Sequence, residues 1–405
     1  MSIPPLFRCP ISLDLFTDPV TLSTGQTYER SSIEKWLADG NLTCPVTMQK
    51  LHDLTMVPNH TLRHLIDQWL LMDAQFDLEH IEWIDRDLSL GTLKNNLQSK
   101  DVTFATKMET LRKIKILSKE SNTRRLCLIQ LGFFPLLLQL IFGSHQVATK
   151  FCVEDTELIE EALSCLLNLS PCTQSASLNM LKEACSLASM VSLLDQGSMK
   201  IKISLCYLVE AISSSMDTKE ISLVLGKNCT LLHLLISLLY QCSDQCASDA
   251  ATRAVSSLCT WESNRDNIIK EGGIDGLIRY LSNPDRSCVS RALATIELLL
   301  ELESGKKAVI SNPNAVHALV KMVFRVCDHE GSESAVNSLL IMSYDSLRVR
   351  EKAISEGIVT QLLLLLQSQS SSRVKAKARL LLKLLRSMWA ENPSISSLQY
   401  GLVDS

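Results

Sequence analysis

Cysteine and histidine are the residues of this chain best suited to covalent or metal chemistry, but their spacing supports neither. The 405 residues include 14 cysteines and eight histidines. Cys242 and Cys246 would share one face of a helix, yet no second pair or suitably spaced histidine completes the four ligands of a structural zinc site. The sequence also lacks a phosphate-binding glycine loop, a GxSxG nucleophile elbow and an HExxH zinc motif. These residues therefore give no sign of a catalytic or metal centre.

The overall composition is that of a helical, weakly acidic protein. Forty Lys and Arg residues against 44 Asp and Glu give a formal charge of −4, which disfavours a dedicated nucleic-acid binder. Hydrophobic residues make up 46% of the chain, whereas only 14 are Gly and 11 are Pro, so we expect mostly helix. No apolar run reaches the ~18 residues of a membrane span, and the N-terminus lacks a secretory signal. We expect a cytoplasmic protein with reduced thiols, and the nucleus is a second candidate compartment.

Residues 1–72 differ in pattern from the rest of the chain. Short apolar alternation on either side of Gly25 predicts a hairpin, and a helix is predicted from Arg30 to Ala38. An irregular loop follows around Cys44 to Met48, and an amphipathic helix is predicted over residues 61–71. The first 72 residues thus form a small α+β module, which needs some stabilisation beyond its own core.

From residue 89 to about 390 the chain repeats itself every 42 residues or so. Leu-rich blocks recur with this period and without any strand signal, which is typical of an α-helical solenoid of about six to seven repeats. The blocks begin at Leu93, Leu136, Met190, Leu235, Leu277, Leu319 and Leu362. The interval between the blocks at Leu136 and Met190 is longer than the others, and a polar insertion at about 143–154 explains it. Residues 73–88 are predicted to be an acidic connecting and capping helix, and residues 391–405 a C-terminal tail.

The last predicted helix carries a basic stripe. Residues 373–386 (RVKAKARLLLKLLR) contain no acidic residue, and helical spacing aligns four cations on one face: Lys375, Arg379, Lys383 and Arg386. A solvated outer face of the terminal repeat accounts for them. A site for phosphate, nucleic acid or an acidic partner is the alternative.

The three-helix unit, with its central glycine and its closing EALSCLLNLS (Glu161 to Ser170), resembles the armadillo repeat. In that family the third helices line a concave groove, and a ladder of Asn residues can hold an extended peptide. The Asn position here reads Asn168, Glu210, Thr260, Leu298 and Ile341, so the ladder of nuclear-import receptors is nearly absent and a transport receptor is disfavoured. The resemblance implies a groove that binds a protein substrate. We expect its exposed positions to include Ser164, Asn168, Cys206, Glu210, Ser256 and Thr260.

The N-terminal module resembles the U-box over residues Phe7 to Trp69. The resemblance is carried by FRCPISLDLFTDPVTLSTGQTYERSSIEKWL, TCPVTMQKL and LTMVPNHTLRHLIDQW. Together with the repeats, it identifies the chain as similar to the plant U-box and armadillo-repeat E3 ubiquitin-protein ligases. A U-box has the shape of a RING domain without its metal, and Cys9, Cys44, His52, His60 and His64 cannot furnish two sets of four zinc ligands. Polar side chains should bond across the two loops instead, and the candidates are Asp18, Glu29, Arg30, Ser32, Thr43 and Asn59.

The resemblance implies that the protein is a transferase without a catalytic residue of its own, and without a cofactor or metal. The U-box would dock a ubiquitin-conjugating enzyme (E2) that carries ubiquitin as a thioester, while the armadillo groove holds the substrate and raises the local concentration of its lysine. The E2-binding residues carried over from the family are Ile11, Leu13, Trp36, Pro45 and Met48. A dimer through the U-box is left open.

Met48 departs from the family pattern. Many U-boxes have an arginine at this position, where it bonds to both the E2 and ubiquitin, and a thioether cannot donate hydrogen bonds. The alternatives are slower transfer, substitution of the arginine by Gln49 or Lys50, and help from a partner chain or from a second ubiquitin on the back of the E2. The alternative function is a non-catalytic armadillo scaffold with a weakened U-box.

Overall fold

The computed structural model describes most of the chain in two compact units. The described residues are 4–51, 53–66, 90–99, 101–143, 153–169, 174–241, 244–283, 286–325 and 329–391. The first unit lies within residues 1–99 and 116–131, and the second within 100–115 and 132–405. The predicted helix over 73–88, most of the predicted insertion and tail, and Trp69, His52 and Cys242 lie outside the described residues. The predicted domain boundaries therefore stay predictions.

A small antiparallel sheet and two helices build the N-terminal module. The strands are β1 (Pro19–Thr21), β2 (Thr27–Glu29) and β3 (Val57–Pro58), in the order β2-β1-β3, with Val20 opposite both Tyr28 and Pro58. Helix α1 spans Arg30–Ala38, and α2 is described over residues 60–66. The predicted hairpin and the predicted first helix are confirmed. Gly25 occupies the hairpin turn with a φ of 78°, a conformation that side chains disfavour.

The core of this module is compact and includes both of its cysteines. The fully or almost fully buried residues are Cys9, Phe16, Val20, Leu22, Tyr28, Ile33, Cys44, Leu51 and Ile66. Helix α1 contributes only Ile33 to this buried set, because its other face is polar. So few apolar residues leave much of the stabilisation to polar contacts.

The rest of the described chain is helical, with short 3-10 turns at Asn179–Lys182 and Met216–Thr218. The helices are α3 (Leu90–Gln98), α4 (Phe104–Glu120), α5 (Asn122–Gln130), α6 (Phe133–Phe142), α7 (Val153–Asn168), α8 (Ser175–Leu178), α9 (Ala184–Gln196), α10 (Met199–Ser213), α11 (Lys219–Lys227), α12 (Cys229–Leu239), α13 (Gln245–Cys259), α14 (Glu262–Lys270), α15 (Gly273–Leu281), α16 (Val289–Leu299), α17 (Glu303–Ser311), α18 (Ala315–Met322), α19 (His329–Asp345), α20 (Leu347–Ser355), α21 (Ile358–Gln367) and α22 (Ser372–Glu391).

From α8 onward these helices repeat in triplets, as the period of the sequence predicts. The third helices α10, α13, α16, α19 and α22 pack one against the next, and α10 packs in the same way against α7, so each repeat completes the core of its neighbour. Gly272 and Gly357 separate the first and second helices of their triplets with φ values of 84° and 83°. A left-handed residue at this point lets the chain reverse within a few residues, which explains the glycines.

Among the described residues, no single helix is both long and apolar enough to cross a membrane. Two bent pairs of consecutive helices meet that test together, by length and composition only.

Candidate functional site

Two loops of the N-terminal module have the same backbone hydrogen-bond pattern. In the first loop (residues 9–14) the Leu13 amide donates to the Cys9 carbonyl at 2.9 Å, and the Cys9 amide to the Asp14 carbonyl at 2.8 Å. In the second loop (residues 44–49) the Met48 amide donates to the Cys44 carbonyl at 2.9 Å, and the Cys44 amide to the Gln49 carbonyl at 2.9 Å. Leu13 and Met48 thus occupy equivalent positions. Both are left-handed, with φ values of 62° and 58°, and their side chains are 68% and 73% exposed.

The cysteine thiols attach these loops to the sheet. Cys9 Sγ accepts hydrogen bonds from the Ile11 amide at 3.4 Å and from the Glu29 amide of β2 at 3.3 Å. Cys44 Sγ lies 3.3 Å from the Thr24 hydroxyl, which donates to it, and 3.0 Å from the Tyr28 hydroxyl. The Tyr28 hydroxyl also accepts from the Val46 amide at 3.2 Å. These hydrogen bonds of the thiols and of Tyr28 could not be predicted from the sequence, because no local pattern marks a tyrosine whose partner lies on a distant loop.

The surroundings of Cys44 and Tyr28 change the acidity of both groups. Burial raises the pKa of the Tyr28 hydroxyl, and its hydrogen bond with Cys44 adds to this rise. Burial also opposes ionisation of Cys44, but hydrogen bonds from Thr24, Thr47 and Tyr28 outweigh it and lower the pKa of the thiol to about 6. The Cys44 sulfur is therefore a strong acceptor at the centre of the second loop.

We expect Cys44→Ala to destabilise the N-terminal module by about 2 kcal/mol, because it leaves the buried Tyr28 hydroxyl without its sulfur partner. Cys44→Ser keeps an acceptor and should cost less. Denaturant unfolding of the full chain, followed by Trp36 fluorescence in variants that lack the other tryptophans, measures the difference. Cys185→Ala, at an exposed cysteine, is the matched control. Equal stability of the Cys44→Ala and Cys185→Ala proteins would contradict a structural role for the thiol.

Four of the six predicted polar residues form cross-links in the module. Arg30 Nε lies 2.6 Å from Asp18 Oδ2, and this hydrogen bond raises the pKa of Arg30. The Glu29 carboxylate accepts from the Thr17 amide at 2.8 Å and from the Thr17 hydroxyl at 2.6 Å. Asn59 Nδ2 donates to the hydroxyls of Thr21 and Thr27, at 3.3 and 3.2 Å, which ties the start of α2 to β1 and β2.

The remaining two predicted polar residues contribute differently. The carbonyl of Thr43, and not its side chain, accepts a hydrogen bond from Trp36 Nε1 at 2.9 Å. Ser32 lies half-buried in the first turn of α1. Neither hydroxyl joins the network that the other four residues form within the described part of the module. The cross-linking therefore involves Asp18, Glu29, Arg30 and Asn59, with the two thiols in addition.

The residues predicted to bind an E2 fall into two classes by exposure. Ile11 and Trp36 are half-buried and pack against the module core, and Pro45 is also half-buried. Leu13 and Met48 project into solvent at equivalent points of the two loops. Because Trp36 also bonds to Thr43, it positions the second loop as well as offering surface. Their assignment as E2-binding residues stays a prediction, which the exposed apolar loop residues support.

The third helices of the repeats present the predicted groove positions unequally. Thr260 is exposed, and Ser164, Asn168 and Glu210 are partly exposed. The prediction that Cys206 and Ser256 are exposed is wrong: Cys206 is 0% exposed and Ser256 only 7%. Close packing between α10 and α13 accounts for the burial of Cys206, which raises the pKa of its thiol to about 12. A substrate cannot contact Cys206 at this surface.

Glu210 is held by two arginines that sequence analysis did not include. Arg253 Nε on α13 lies 2.7 Å from Glu210 Oε2, and Arg291 Nη1 on α16 lies 2.6 Å from Glu210 Oε1. These two hydrogen bonds lower the pKa of Glu210 against the opposing effect of burial. Arg253 and Arg291 each stand seven residues, about two helical turns, before an Asn-ladder position, Thr260 and Leu298, and this spacing is the signal that could have identified them.

The basic residues of α22 are only partly paired. Arg373 and Lys377 bind Glu333 of α19 at 2.8 and 3.0 Å and so join the last two third helices. The predicted stripe itself consists of Lys375, which is half-buried, and of the exposed Arg379, Lys383 and Arg386. The stripe residues make no ion pair within the described ranges, and their role stays a prediction.

Comparison with known proteins gives consistent matches for both parts of the chain. The family model described as plant U-box protein ARM repeat region matches residues 91–402, and that of the U-box domain matches residues 3–75. U-box domain-containing protein 26 of Arabidopsis thaliana is 33% identical over 98% of this chain and 95% of its own length. E3 ubiquitin-protein ligase PUB23 of the same plant is 27% identical over 98% and 95%. The crystal structure of an engineered protein has a TM-score of 0.57 at 20% identity, covering 73% of this chain and 68% of the other.

Proposed function

Because the chain belongs to the plant U-box and armadillo-repeat family, whose members include proteins named E3 ubiquitin-protein ligases, we propose that it transfers ubiquitin as an adaptor. Its U-box docks a ubiquitin-charged E2, and its armadillo repeats recruit the protein substrate. The observation that carries the proposal is the pair of equivalent loops, each displaying one exposed apolar side chain, Leu13 and Met48. Exposed apolar side chains on rigid loops are suited to a small, transient interface.

The state of the module's cysteines supports an adaptor role. Cys9 and Cys44 are both 0% exposed, and each sulfur is engaged in hydrogen bonds within the module. Because neither sulfur is accessible at the surface, neither can attack the thioester of a docked E2, and the thioester stays on the E2 until a lysine attacks it. The chain then contributes by binding two partners at once and by raising the effective concentration of the substrate lysine.

The repeats support recruitment of the substrate. Third helices packed side by side create an extended surface that needs no catalytic group, and they are joined from layer to layer by ion pairs such as Arg253–Glu210 and Lys377–Glu333. Such pairs keep neighbouring layers in register, which gives a partner a fixed array of side chains to bind.

The proposal is tested by discharge of ubiquitin from a panel of charged E2 enzymes onto free lysine, with and without the full chain. We expect at least one E2 to discharge faster in its presence. A panel in which no E2 responds, while the protein is folded by circular dichroism, would reject ligase activity.

A second candidate function is a non-catalytic armadillo scaffold, and Met48 is the observation that favours it. The side chain is 73% exposed but has no hydrogen-bond donor, where many U-boxes have an arginine. The same discharge assay separates the two functions, because a scaffold would bind partners and leave every E2 thioester unchanged.

A further inference from the structure

We propose that the arginine cluster of the armadillo groove, formed by Arg253, Arg291 and Glu210, binds an oxyanion-bearing side chain of an extended substrate segment. The inference rests on the proposed function, because it specifies the substrate that the groove recruits. The oxyanion is a carboxylate or a phosphate group, and each offers two neighbouring oxygens that a guanidinium can bind with two parallel hydrogen bonds.

The cluster borders a cavity of about 290 Å³ that lies across three consecutive third helices. Its floor is formed by small residues of α13, namely Ser256, Ser257 and Thr260. Its walls are Glu210 and Ser214 near α10 and, on α16, Arg291, Ala294, Thr295 and Leu298. Because the floor residues are small, Arg291 can reach over α13 and contact Glu210 two layers away. The cavity is therefore bounded by the ion pair between Arg291 and Glu210, and five of its nine lining residues carry a hydroxyl group.

The charges of the cluster do not balance. Glu210 carries one negative charge, and it accepts one hydrogen bond from each of two guanidinium groups. Arg253 uses only Nε for this contact and Arg291 only Nη1, so the other donors of both side chains have no partner among the described residues. Each arginine side chain remains more than 40% exposed. One net positive charge and several unused donors face solvent at this layer.

Glu210 holds the two arginine side chains in position before a ligand binds. Two guanidinium groups at close range repel each other, and the carboxylate between them removes that cost. Arg253 is also fixed by the ring of Tyr207, whose centre lies 5.6 Å from the guanidinium carbon. Both cations are therefore oriented before the partner arrives, which lowers the entropic cost of binding.

The Thr260 hydroxyl and the charge of Glu297 in the neighbouring layer determine where along the groove the oxyanion binds. Thr260 is exposed and donates to the Ser257 carbonyl at 2.6 Å, so its hydroxyl oxygen remains able to accept from the backbone of a bound segment. Thr295 is buried, and its hydroxyl bonds to Ser256 at 2.7 Å and to the Arg291 carbonyl at 2.8 Å, which holds α16 against α13. In the adjoining layer Glu297 of α16 accepts from Asn337 of α19 and adds a negative charge. An acidic side chain is repelled there and is favoured at the arginine cluster, which sets the register of the segment.

The test is selection of random short linear peptides on the immobilised full chain, followed by binding titrations of the selected sequences. We compare the unchanged protein with Arg291→Gln and with Arg348→Gln, which removes the same charge at an exposed residue of α20. We expect Asp or Glu to be enriched at one position with the unchanged protein and with Arg348→Gln, but not with Arg291→Gln. Arg291→Lys should lie between them, because lysine keeps the charge without the fork.

Three forms of the best peptide, with Glu, Gln or phosphoserine at the enriched position, identify the source of the oxyanion. We expect the Gln form to bind the unchanged protein about tenfold more weakly, and all forms to bind Arg291→Gln alike. Tighter binding of the phosphoserine form than of the Glu form indicates a phosphorylated substrate, and the reverse order an acidic one.

Three results would each overturn the inference. They are the absence of an acidic position from the selected peptides, the failure to select any peptide, and a preference for acidic peptides that persists in Arg291→Gln. Discharge of ubiquitin from a charged E2, measured on the same preparations, separates this outcome from failure of the proposed function. If ubiquitin discharge is normal but peptide binding does not depend on an acidic residue, only the anion site is rejected. If peptide binding depends on an acidic residue but no E2 is discharged, ligase activity is rejected and the anion site stands.

Discussion

Leu13→Gln is expected to slow ubiquitin discharge by about thirtyfold at limiting E2, without loss of stability. The Leu13 side chain is 68% exposed, so the folded protein loses almost no packing when it becomes polar. Neither side chain is branched at Cβ, so the left-handed backbone at φ 62° is not made worse. Loss of one apolar anchor in a small interface costs about 2 kcal/mol of binding, which corresponds to the expected change in rate.

The matched control is Leu65→Gln, which makes the same chemical change at a 49% exposed leucine of α2. Discharge should stay unchanged there. Trp36→Ala should abolish discharge too, but it also removes a residue that packs on the core and donates to Thr43, so part of its effect is structural. If Leu13→Gln discharges ubiquitin as fast as Leu65→Gln, the first loop does not bind the E2.

Met48→Arg should accelerate discharge onto free lysine by about tenfold, with little change in affinity for the E2. Met48 is 73% exposed on the second loop, so an arginine can take its place without disturbing the core. Its guanidinium has five donors in a planar fork and can bond the E2 and ubiquitin together, which a thioether cannot. Holding both proteins favours the reactive arrangement of the thioester, so the gain should appear in the rate and not in the affinity.

Met48→Lys is the control for charge alone, since an ammonium group cannot make the same pair of planar contacts. It should recover only a small part of the effect. Single-turnover discharge measures the rate, and titration of the uncharged E2 measures the affinity. An unchanged rate in Met48→Arg would mean that another group, such as the exposed Gln49 or Lys50, already holds the thioester.

Several features of the fold follow from local sequence alone. The helix from Arg30 to Ala38 and the hairpin at Gly25 were predictable because turn and helix signals act within a few residues. The solenoid was predictable from its period, since each repeat must bury the same apolar stripe against its neighbour. The breaks at Gly272 and Gly357 have the same local origin, because each of these glycines takes the left-handed conformation at which the first helix ends and the second begins.

The two matching loops could be predicted only in part. Both begin with Cys-Pro, at Cys9 and Cys44, and this pattern is visible in the sequence. That both thiols turn inward and bond to β2 and its neighbouring turn depends on residues 16 to 20 positions away. Sequence patterns carry no information about which distant donor a buried sulfur will meet.

Tertiary structure determined which residues of the groove are accessible and which are paired. Sequence spacing placed Cys206 and Glu210 on a helix face that should be open, but close packing of α10 against α13 buries the first, and two arginines bind the second. Arg291 lies 81 positions from Glu210, a separation that no helical period describes. Local periodicity determines which residues of a helix share a face. Which of those faces is covered, and which charges meet across it, depends on how tightly successive layers pack and on the size of the side chains between them.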